Sequence, residues 1–127
     1  MTQAAVAAPK TDKMLSRKEG RVGYVIFNNP ERHNAVSLDM WKTAGEMLDE
    51  FRSDSNIAVV VVTGAGGKAF VSGADISRFE KERSDEEAVA HYSKVVEQSY
   101  TAFHEFPKPV IAMIRGYCIG GDRKSVV

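Results

Sequence analysis

The chain has 127 residues, and 43% of them are hydrophobic, which is enough for one domain with its own core. Seventeen basic side chains balance seventeen acidic ones, so no overall charge attracts nucleic acid or an anionic membrane. The apolar runs are much shorter than the roughly 18 residues of a membrane span. The single cysteine, Cys118, cannot form a disulfide within the chain and is typical of a reducing compartment, so we expect a cytoplasmic protein.

The first predicted element is a β-hairpin. Residues 1–12 are rich in alanine and are expected to form a flexible N-terminal tail. Residues 15–27 then form two strands around a Glu19-Gly20 turn. The second strand is predicted to end at residues 28–30, because proline lacks a backbone donor and restricts the residue before it.

A helix and a strand are predicted next. Ser37 is a plausible N-cap for a helix of about four turns. Residues 57–63 are apolar throughout, as in a central strand covered on both faces. In the predicted helix, the apolar residues recur at three- and four-residue spacing and are expected to pack in the core. They are Leu38, Trp41, Ala44, Met47 or Leu48, and Phe51.

The second half repeats this order. A short charged helix is predicted over residues 76–83, and Ser84 with Glu87 forms a capping-box pattern for a longer helix that continues to about Phe106. Two prolines end it, and residues 110–114 form a third apolar strand. The alternation of strands, helices and glycine loops predicts an α/β fold with its site at the carboxyl ends of strands.

Two glycine-rich loops follow apolar strands, at residues 68–76 and 116–121. Their small residues let a ligand lie directly against main-chain amides. We hypothesise that the two loops present facing N–H donors, an arrangement that can hold a developing oxyanion.

Other chemistries fit the residues less well. Residues 64–69 (GAGGKA) match a loose dinucleotide fingerprint, but residues 70–73 interrupt any immediate helix and no acidic residue ends a following strand. A phosphate-binding loop of the Walker type would need Ser or Thr at Ala69. The three histidines are widely separated and none pairs with Cys118 at ligand spacing, so no metal is predicted, and Cys118 is interpreted as a packing residue.

Three motifs resemble one known family when taken together. They are residues 30–36 (PERHNAV), residues 68–76 (KAFVSGADI), and residues 107–112 (PKPVIA) leading into 116–121 (GYCIGG). In order and spacing they resemble the enoyl-CoA hydratase/isomerase family, the crotonases, over about residues 15–121. The resemblance implies a crotonase-like ββα spiral, an acyl-CoA thioester substrate and no cofactor beyond the coenzyme A of that substrate. It also implies that the full-length parent is a homotrimer or hexamer. No nucleic-acid or membrane partner is expected.

The resemblance also implies roles for particular residues. The backbone N–H groups of Ala74 and Gly121 would hold the thioester enolate. Arg32 and Lys68 would face the coenzyme A phosphates or adenine, with solvated surface charge as an equal alternative. Asp75 is expected to fix its loop rather than to transfer a proton. The full set of implied binding residues is Arg32, Lys68, Ser72, Gly73, Ala74, Asp75, Ile76, Ser77, Gly120 and Gly121.

The chain departs from the family pattern after Gly121. Hydratases carry an acidic general acid/base three residues beyond the second donor, where this chain has Lys124, and a second glutamate further along. Hydration of a 2-enoyl-CoA is therefore the family default. The alternatives are a non-catalytic acyl-CoA-binding protein or a relative with isomerase, hydrolase or decarboxylase chemistry.

The ends of the chain are interpreted accordingly. Residues 13–121 are expected to be the N-terminal half of a crotonase-like domain, an incomplete fold that alone is inactive and prone to aggregation. Residues 122–127 are charged where the family continues with an apolar helix, and they resemble one translated frame of a common sequencing adapter. We interpret them as a non-native tail.

Overall fold

The computed structural model describes residues 11–72 and 86–118. The described elements mix strands and helices, as the sequence predicts. In chain order they are β1 (Met14–Glu19), β2 (Val22–Phe27), a short 3-10 helix (Pro30–Arg32), α1 (Leu38–Ser53), β3 (Val59–Gly64), β4 (Ala69–Val71), α2 (Glu86–His104), β5 (Val110–Met113) and β6 (Tyr117–Cys118).

The strands form two sheets. The larger has the order β1-β2-β3-β5, and the smaller pairs β4 with β6. β1 and β2 are the predicted antiparallel hairpin, with Glu19 opposite Val22 across the turn. β3 pairs in parallel with both β2 and β5, so each connection crosses over the sheet and carries a helix. This is the α/β arrangement expected from the sequence.

Both long helices begin and end close to their predicted positions. The Ser37 hydroxyl accepts a hydrogen bond from the amide of Met40 at 3.4 Å, which confirms the predicted N-cap of α1. α2 begins at Glu86 and ends at His104, shortly before the predicted end at Phe106. The predicted Ser84 cap and the short charged helix over residues 76–83 lie outside the described residues.

The core lies between α1, α2 and one face of the larger sheet. Trp41 of α1 meets the edges of Phe27 from β2 and Tyr100 from α2, with ring centroids 6.1 Å and 5.3 Å apart. Phe27 also meets Phe70 of β4 at 6.5 Å. These four rings connect the larger sheet, both helices and the smaller sheet, so the position of β4 depends on the core.

The other face of the larger sheet is partly open. Val60 and Val62 are buried, whereas Val59 and Val61 on the opposite face of β3 are only half-buried. The prediction of a strand covered on both faces therefore holds for one face within the described residues. Exposed side chains continue this apolar surface, with 54% of Ile111 and 41% of Leu15 accessible to solvent.

We expect the chain to self-associate through this open face, because contiguous exposed apolar surface beside an edge strand favours pairing with another copy. Ile111→Lys should shift the sedimentation of the protein toward the monomer. Thr101→Lys adds the same charge on the exposed side of α2 and should leave sedimentation unchanged. If both variants shifted the sedimentation equally, net charge would explain the change, and self-association through the open face would be contradicted.

A polar cluster holds the carboxyl end of α1. The Lys108 ammonium donates to the carbonyls of Phe51 and Asp54 at 2.6 and 2.7 Å. Each carbonyl also accepts a backbone amide, that of Asp54 or Ile57, so the lysine adds a charged second donor at the helix end. The Lys18 ammonium lies 2.8 Å from the Asp54 carboxylate. Together these contacts join β1, α1 and the segment before β5.

This cluster predicts a dependence of stability on pH. The hydrogen bond from Lys18 and then that from the Asn56 amide hold the pKa of Asp54 below its ordinary value of 3.8. A depressed folded pKa stabilises the protein above the unfolded pKa, and this contribution is lost as the pH falls through the folded pKa.

Asp54→Asn should therefore lower the free energy of unfolding at neutral pH, and its difference from the unsubstituted protein should shrink on acidification. Urea unfolding at a series of pH values measures this difference. Asp12→Asn changes the charge equally at an exposed position and should show no such trend. A difference for Asp54→Asn that stays constant with pH would contradict the assignment.

Candidate oxyanion site at the end of the smaller sheet

The strands that precede the two predicted donor loops lie side by side in the smaller sheet. β4 and β6 are parallel, and Val71 is registered with Cys118 at their carboxyl ends. Ala74 lies three residues beyond Val71, and Gly121 lies three residues beyond Cys118. Parallel strands end at one edge of a sheet, so Val71 and Cys118 lie at the same edge. Ala74 and Gly121 themselves lie outside the described residues.

A β-bulge shapes the first of these strands. Ala69 is registered with Tyr117 and Val71 with Cys118. The partners are therefore two positions apart on β4 and one position apart on β6, which leaves one extra residue on β4. The extra residue, Phe70, is fully buried against Phe27. The buried ring anchors β4 on the core and fixes where the following loop starts.

Close backbone contacts hold the loop between β3 and β4. Gly116 has a φ of +75°, and a Cβ atom there would collide with the carbonyl of Lys68. Gly66 has a φ of +88°, and its Cβ would lie 2.8 Å from Cβ of Pro30. The first contact sets the entry of β6 against this loop, and the second sets the loop against the Pro30–Arg32 turn.

A buried asparagine joins the same segments, and sequence reasoning assigned it no role. Asn34 Nδ2 donates to the carbonyls of Ala65 and Ala69 at 2.9 and 2.7 Å. Its Oδ1 accepts from the Asn29 amide at 2.8 Å. Asn34 has a φ of +59°, a conformation that Asn adopts more readily than most residues. The only indication in the sequence was its place in the PERHNAV motif. That motif supports the family resemblance but does not show which groups Asn34 contacts.

Three predicted binding residues lie within the described residues, and the structure brings their segments together. The Ser72 hydroxyl donates to the Arg32 carbonyl at 3.2 Å, so the end of β4 is joined to the 3-10 turn. The side chains of Arg32 and Lys68 are both exposed, on segments that meet at the Pro30–Gly66 contact. Their contact with coenzyme A stays a prediction. The remaining predicted residues lie outside the described residues: Gly73, Asp75, Ile76, Ser77 and Gly120.

A cavity of about 480 Å³ lies elsewhere, between α1 and α2. Its lining is mostly polar and includes Lys42, Glu46, His91 and Lys94. None of the residues predicted from the sequence to bind substrate lines it.

Residues 11–72 and 86–118 contain neither a cluster of metal ligands nor a helix that could span a membrane. No three His, Cys, Asp or Glu side chains in these ranges lie together in a way that could hold a metal ion. Neither α1 nor α2 is long and apolar enough to cross a membrane.

Solved structures share this architecture. An enoyl-CoA hydratase/carnithine racemase from Magnetospirillum magneticum superposes with a TM-score of 0.82 at 38% identity, over 88% of this chain and 42% of that one. An enoyl-CoA hydratase from Shewanella pealeana superposes with a TM-score of 0.85 over 95% of this chain and 46% of that one, and at 22% identity it supports the fold alone. The fold is the crotonase fold, as the sequence predicts.

The sequence comparisons agree with the fold. The family model for enoyl-CoA hydratase/isomerase matches residues 17–124. The short-chain-enoyl-CoA hydratase of Clostridium acetobutylicum is 33% identical over 110 residues, which are 87% of this chain and 41% of that protein. The mitochondrial Δ(3,5)-Δ(2,4)-dienoyl-CoA isomerase of Mus musculus is 36% identical over 116 residues, which are 84% of this chain and 35% of that protein. This chain belongs to the enoyl-CoA hydratase/isomerase family. It spans about two-fifths of the length of these relatives.

Proposed function

We propose that this chain forms the acyl-CoA-binding part of an enoyl-CoA hydratase-type site. The backbone N–H groups of Ala74 and Gly121 would donate to the thioester oxygen as it takes on enolate charge. The observation that carries the proposal is the parallel registry of Val71 with Cys118, from which both donors are three residues away. Backbone donors suit this role because they are fixed before charge develops, and losing one typically costs about 10² to 10³ in rate.

The proposal assigns the coenzyme A moiety to the basic residues on the neighbouring turn and loop. Arg32 and Lys68 are exposed, and the contacts of Asn34, Ser72 and Gly66 hold their segments against each other. Coenzyme A carries several phosphate charges, and the chain as a whole has no net charge to attract them. Local cations on fixed segments therefore supply the attraction.

Hydration itself needs groups that transfer protons. Lys124 stands three residues beyond Gly121, at the place where hydratases carry an acid. We propose that this chain by itself binds the thioester and polarises it without adding water. A catalysed reaction would need acidic groups at the positions where hydratases carry them.

An isomerase is the second candidate function. The 36% identity with the mouse dienoyl-CoA isomerase is slightly higher than the identity with the Clostridium hydratase. An isomerase would use the same two donors to stabilise a dienolate while protons move along the acyl chain. A non-catalytic acyl-CoA-binding protein would keep the donors and catalyse neither reaction.

The remaining parts of the proposal follow from this class of site. The protein would need no cofactor other than the coenzyme A of its substrate. The full-length parent would assemble as a homotrimer or hexamer, with no nucleic-acid or membrane partner. The single cysteine favours the cytoplasm, whereas the name of the mouse isomerase places that relative in mitochondria. Cell fractionation with an antibody against the chain separates these two locations.

Binding of acetoacetyl-CoA tests the site directly. Two fixed donors stabilise the enolate of this β-keto thioester, so the enolate absorbance should rise on titration with the protein. Ala74→Pro removes one donor and should abolish the rise, while binding of free coenzyme A, which has no thioester oxygen, should persist. No enolate signal from the unsubstituted protein would overturn the proposal.

Two substrates distinguish the candidate reactions. Hydration of crotonyl-CoA removes the absorbance of its conjugated thioester. Isomerisation of a 3,5-dienoyl-CoA creates the longer conjugation of the 2,4-dienoyl product. We expect neither change with this chain alone, and a rapid loss of crotonyl-CoA absorbance would contradict the proposal of binding without hydration.

A further inference from the structure

Asn34 is a fully buried polar residue between three separate segments of the chain. Its side chain has 0% relative exposure. Oδ1 accepts from the amide of Asn29, at the end of the segment that follows β2. Nδ2 donates to Ala65 in the loop after β3 and to Ala69, the first residue of β4. The side chain thus satisfies one donor and two acceptors of buried or partly buried backbone.

The surrounding backbone is shaped to admit this side chain. A Cβ atom on Gly64 would lie 2.6 Å from Asn34 Nδ2 and 2.6 Å from the Ala69 carbonyl. Such distances exclude any side chain larger than that of glycine at position 64 without rearrangement. Asn29 Nδ2 in turn donates to the Ala35 carbonyl at 2.9 Å, which holds the segment that carries Asn34. The glycine at position 64 thus leaves room for the Asn34 amide, and Asn29 holds the segment that carries it.

The two carbonyls that Asn34 binds flank the loop that carries Lys68 and precedes Ser72. The loop can move relative to the 3-10 turn only if one or both of these hydrogen bonds break. The Ser72–Arg32 hydrogen bond, by comparison, is exposed. The buried bonds of Asn34 are the stronger restraint, because a buried unpaired carbonyl is costly.

We propose that Asn34 is a positioning residue for acyl-CoA binding. It fixes the Ala65 and Ala69 carbonyls, and thereby the direction in which the chain leaves β4 toward the thioester-binding loop. The identity of the ligand rests on the proposed function. The claim that Asn34 fixes the two carbonyls depends only on the hydrogen bonds. Only an amide meets the requirement at this position, since one end must accept and the other must donate twice.

Asn34→Asp isolates the donating half of the amide. Aspartate keeps nearly the same shape and tolerates a positive φ, but it places a carboxylate oxygen against two carbonyl oxygens. The matched control is Asn28→Asp, because Asn28 Nδ2 also donates to a backbone carbonyl, that of Asp12, at an exposed position away from the loop. Asn34→Gly is the second variant, which keeps the positive φ and removes all three side-chain hydrogen bonds.

Hydrogen exchange provides the readout that needs no ligand. Under conditions where each variant is folded by circular dichroism, exchange of residues 64–72 should accelerate at least tenfold in Asn34→Asp, while exchange of β2 stays within twofold. Asn28→Asp should change neither segment. If Asn34→Asp does not fold, the same comparison is made with Asn34→Gly. Unchanged exchange of residues 64–72, or equal acceleration of β2, would overturn the positioning role.

Titration with acetoacetyl-CoA provides the second readout. Binding to the folded Asn34 variant should weaken at least tenfold, and binding to Asn28→Asp should match the unsubstituted protein. Unchanged binding together with accelerated loop exchange would overturn the link between loop position and ligand. Absence of binding by the unsubstituted protein would overturn the proposed function, and the exchange result would still decide whether Asn34 fixes the loop.

Discussion

Phe27→Ala is expected to lower the free energy of unfolding by about 3 to 5 kcal/mol. Phe27 is fully buried, and its ring meets the edges of Trp41 and Phe70. Truncation leaves a cavity where the larger sheet, α1 and β4 come together, and it removes two aromatic contacts in addition to apolar burial. The loss approaches the whole stability of many small domains, about 5 to 15 kcal/mol.

Urea unfolding followed by the fluorescence of Trp41, the single tryptophan, measures this loss. Leu15→Ala is the matched control, because Leu15 lies on the open face of the same sheet with 41% of its surface exposed. It should change the free energy of unfolding by less than about 1 kcal/mol. A similar cost for both substitutions would show that the core does not lie where the four rings place it.

Much of the fold could be predicted from the sequence because local patterns carry it. The spacing of Trp41, Leu48 and Phe51 identified the buried face of α1, and all three are buried. Ser37 was identified as the cap because a hydroxyl before an amphipathic run satisfies free helix amides, and the hydrogen bond to Met40 confirms it. Each of these signals depends on residues within a few positions of one another.

The rejected dinucleotide motif shows how local signals can also mislead. Residues 64–69 match the motif because glycines recur in them. In the structure β4 follows these residues, whereas a dinucleotide site requires a helix there. The glycines serve close contacts instead: Gly64 lies against the Ala69 carbonyl and the Asn34 amide, and Gly66 lies against Pro30.

The geometry of the candidate site could not be predicted from the sequence, because it depends on contacts between distant segments. The hydrogen bond from Asn34 to Ala69 spans 35 positions, and that from Ser72 to Arg32 spans 40. The registry of Val71 with Cys118 likewise required the sheet topology. Resemblance suggested Ala74 and Gly121 as a pair of donors, and their pairing stays a prediction because both lie outside the described residues.

Gly116→Ala is expected to weaken acetoacetyl-CoA binding at least tenfold more than an alanine placed at another positive-φ glycine that has free space around it. The new Cβ would collide with the Lys68 carbonyl, and that atom is backbone, which cannot rotate away as a side chain can. β6 would therefore have to move relative to the loop before β4. A displacement of about 1 Å between catalytic groups can cost about 10² in rate, and the two proposed donors depend on this one strand pair.

Gly20→Ala separates the collision from the cost of the backbone conformation. Gly20 has a φ of +60°, close to the +75° of Gly116, but a Cβ atom there would meet no atom within 4 Å. Both alanines therefore bear a similar conformational cost of about 1 to 2 kcal/mol, and only the one at position 116 displaces a strand. Gly20→Ala should lower stability and leave the affinity of the folded protein unchanged. Equal affinities of the two variants would mean that β4 and β6 do not align the donors, and that the thioester site lies away from the smaller sheet.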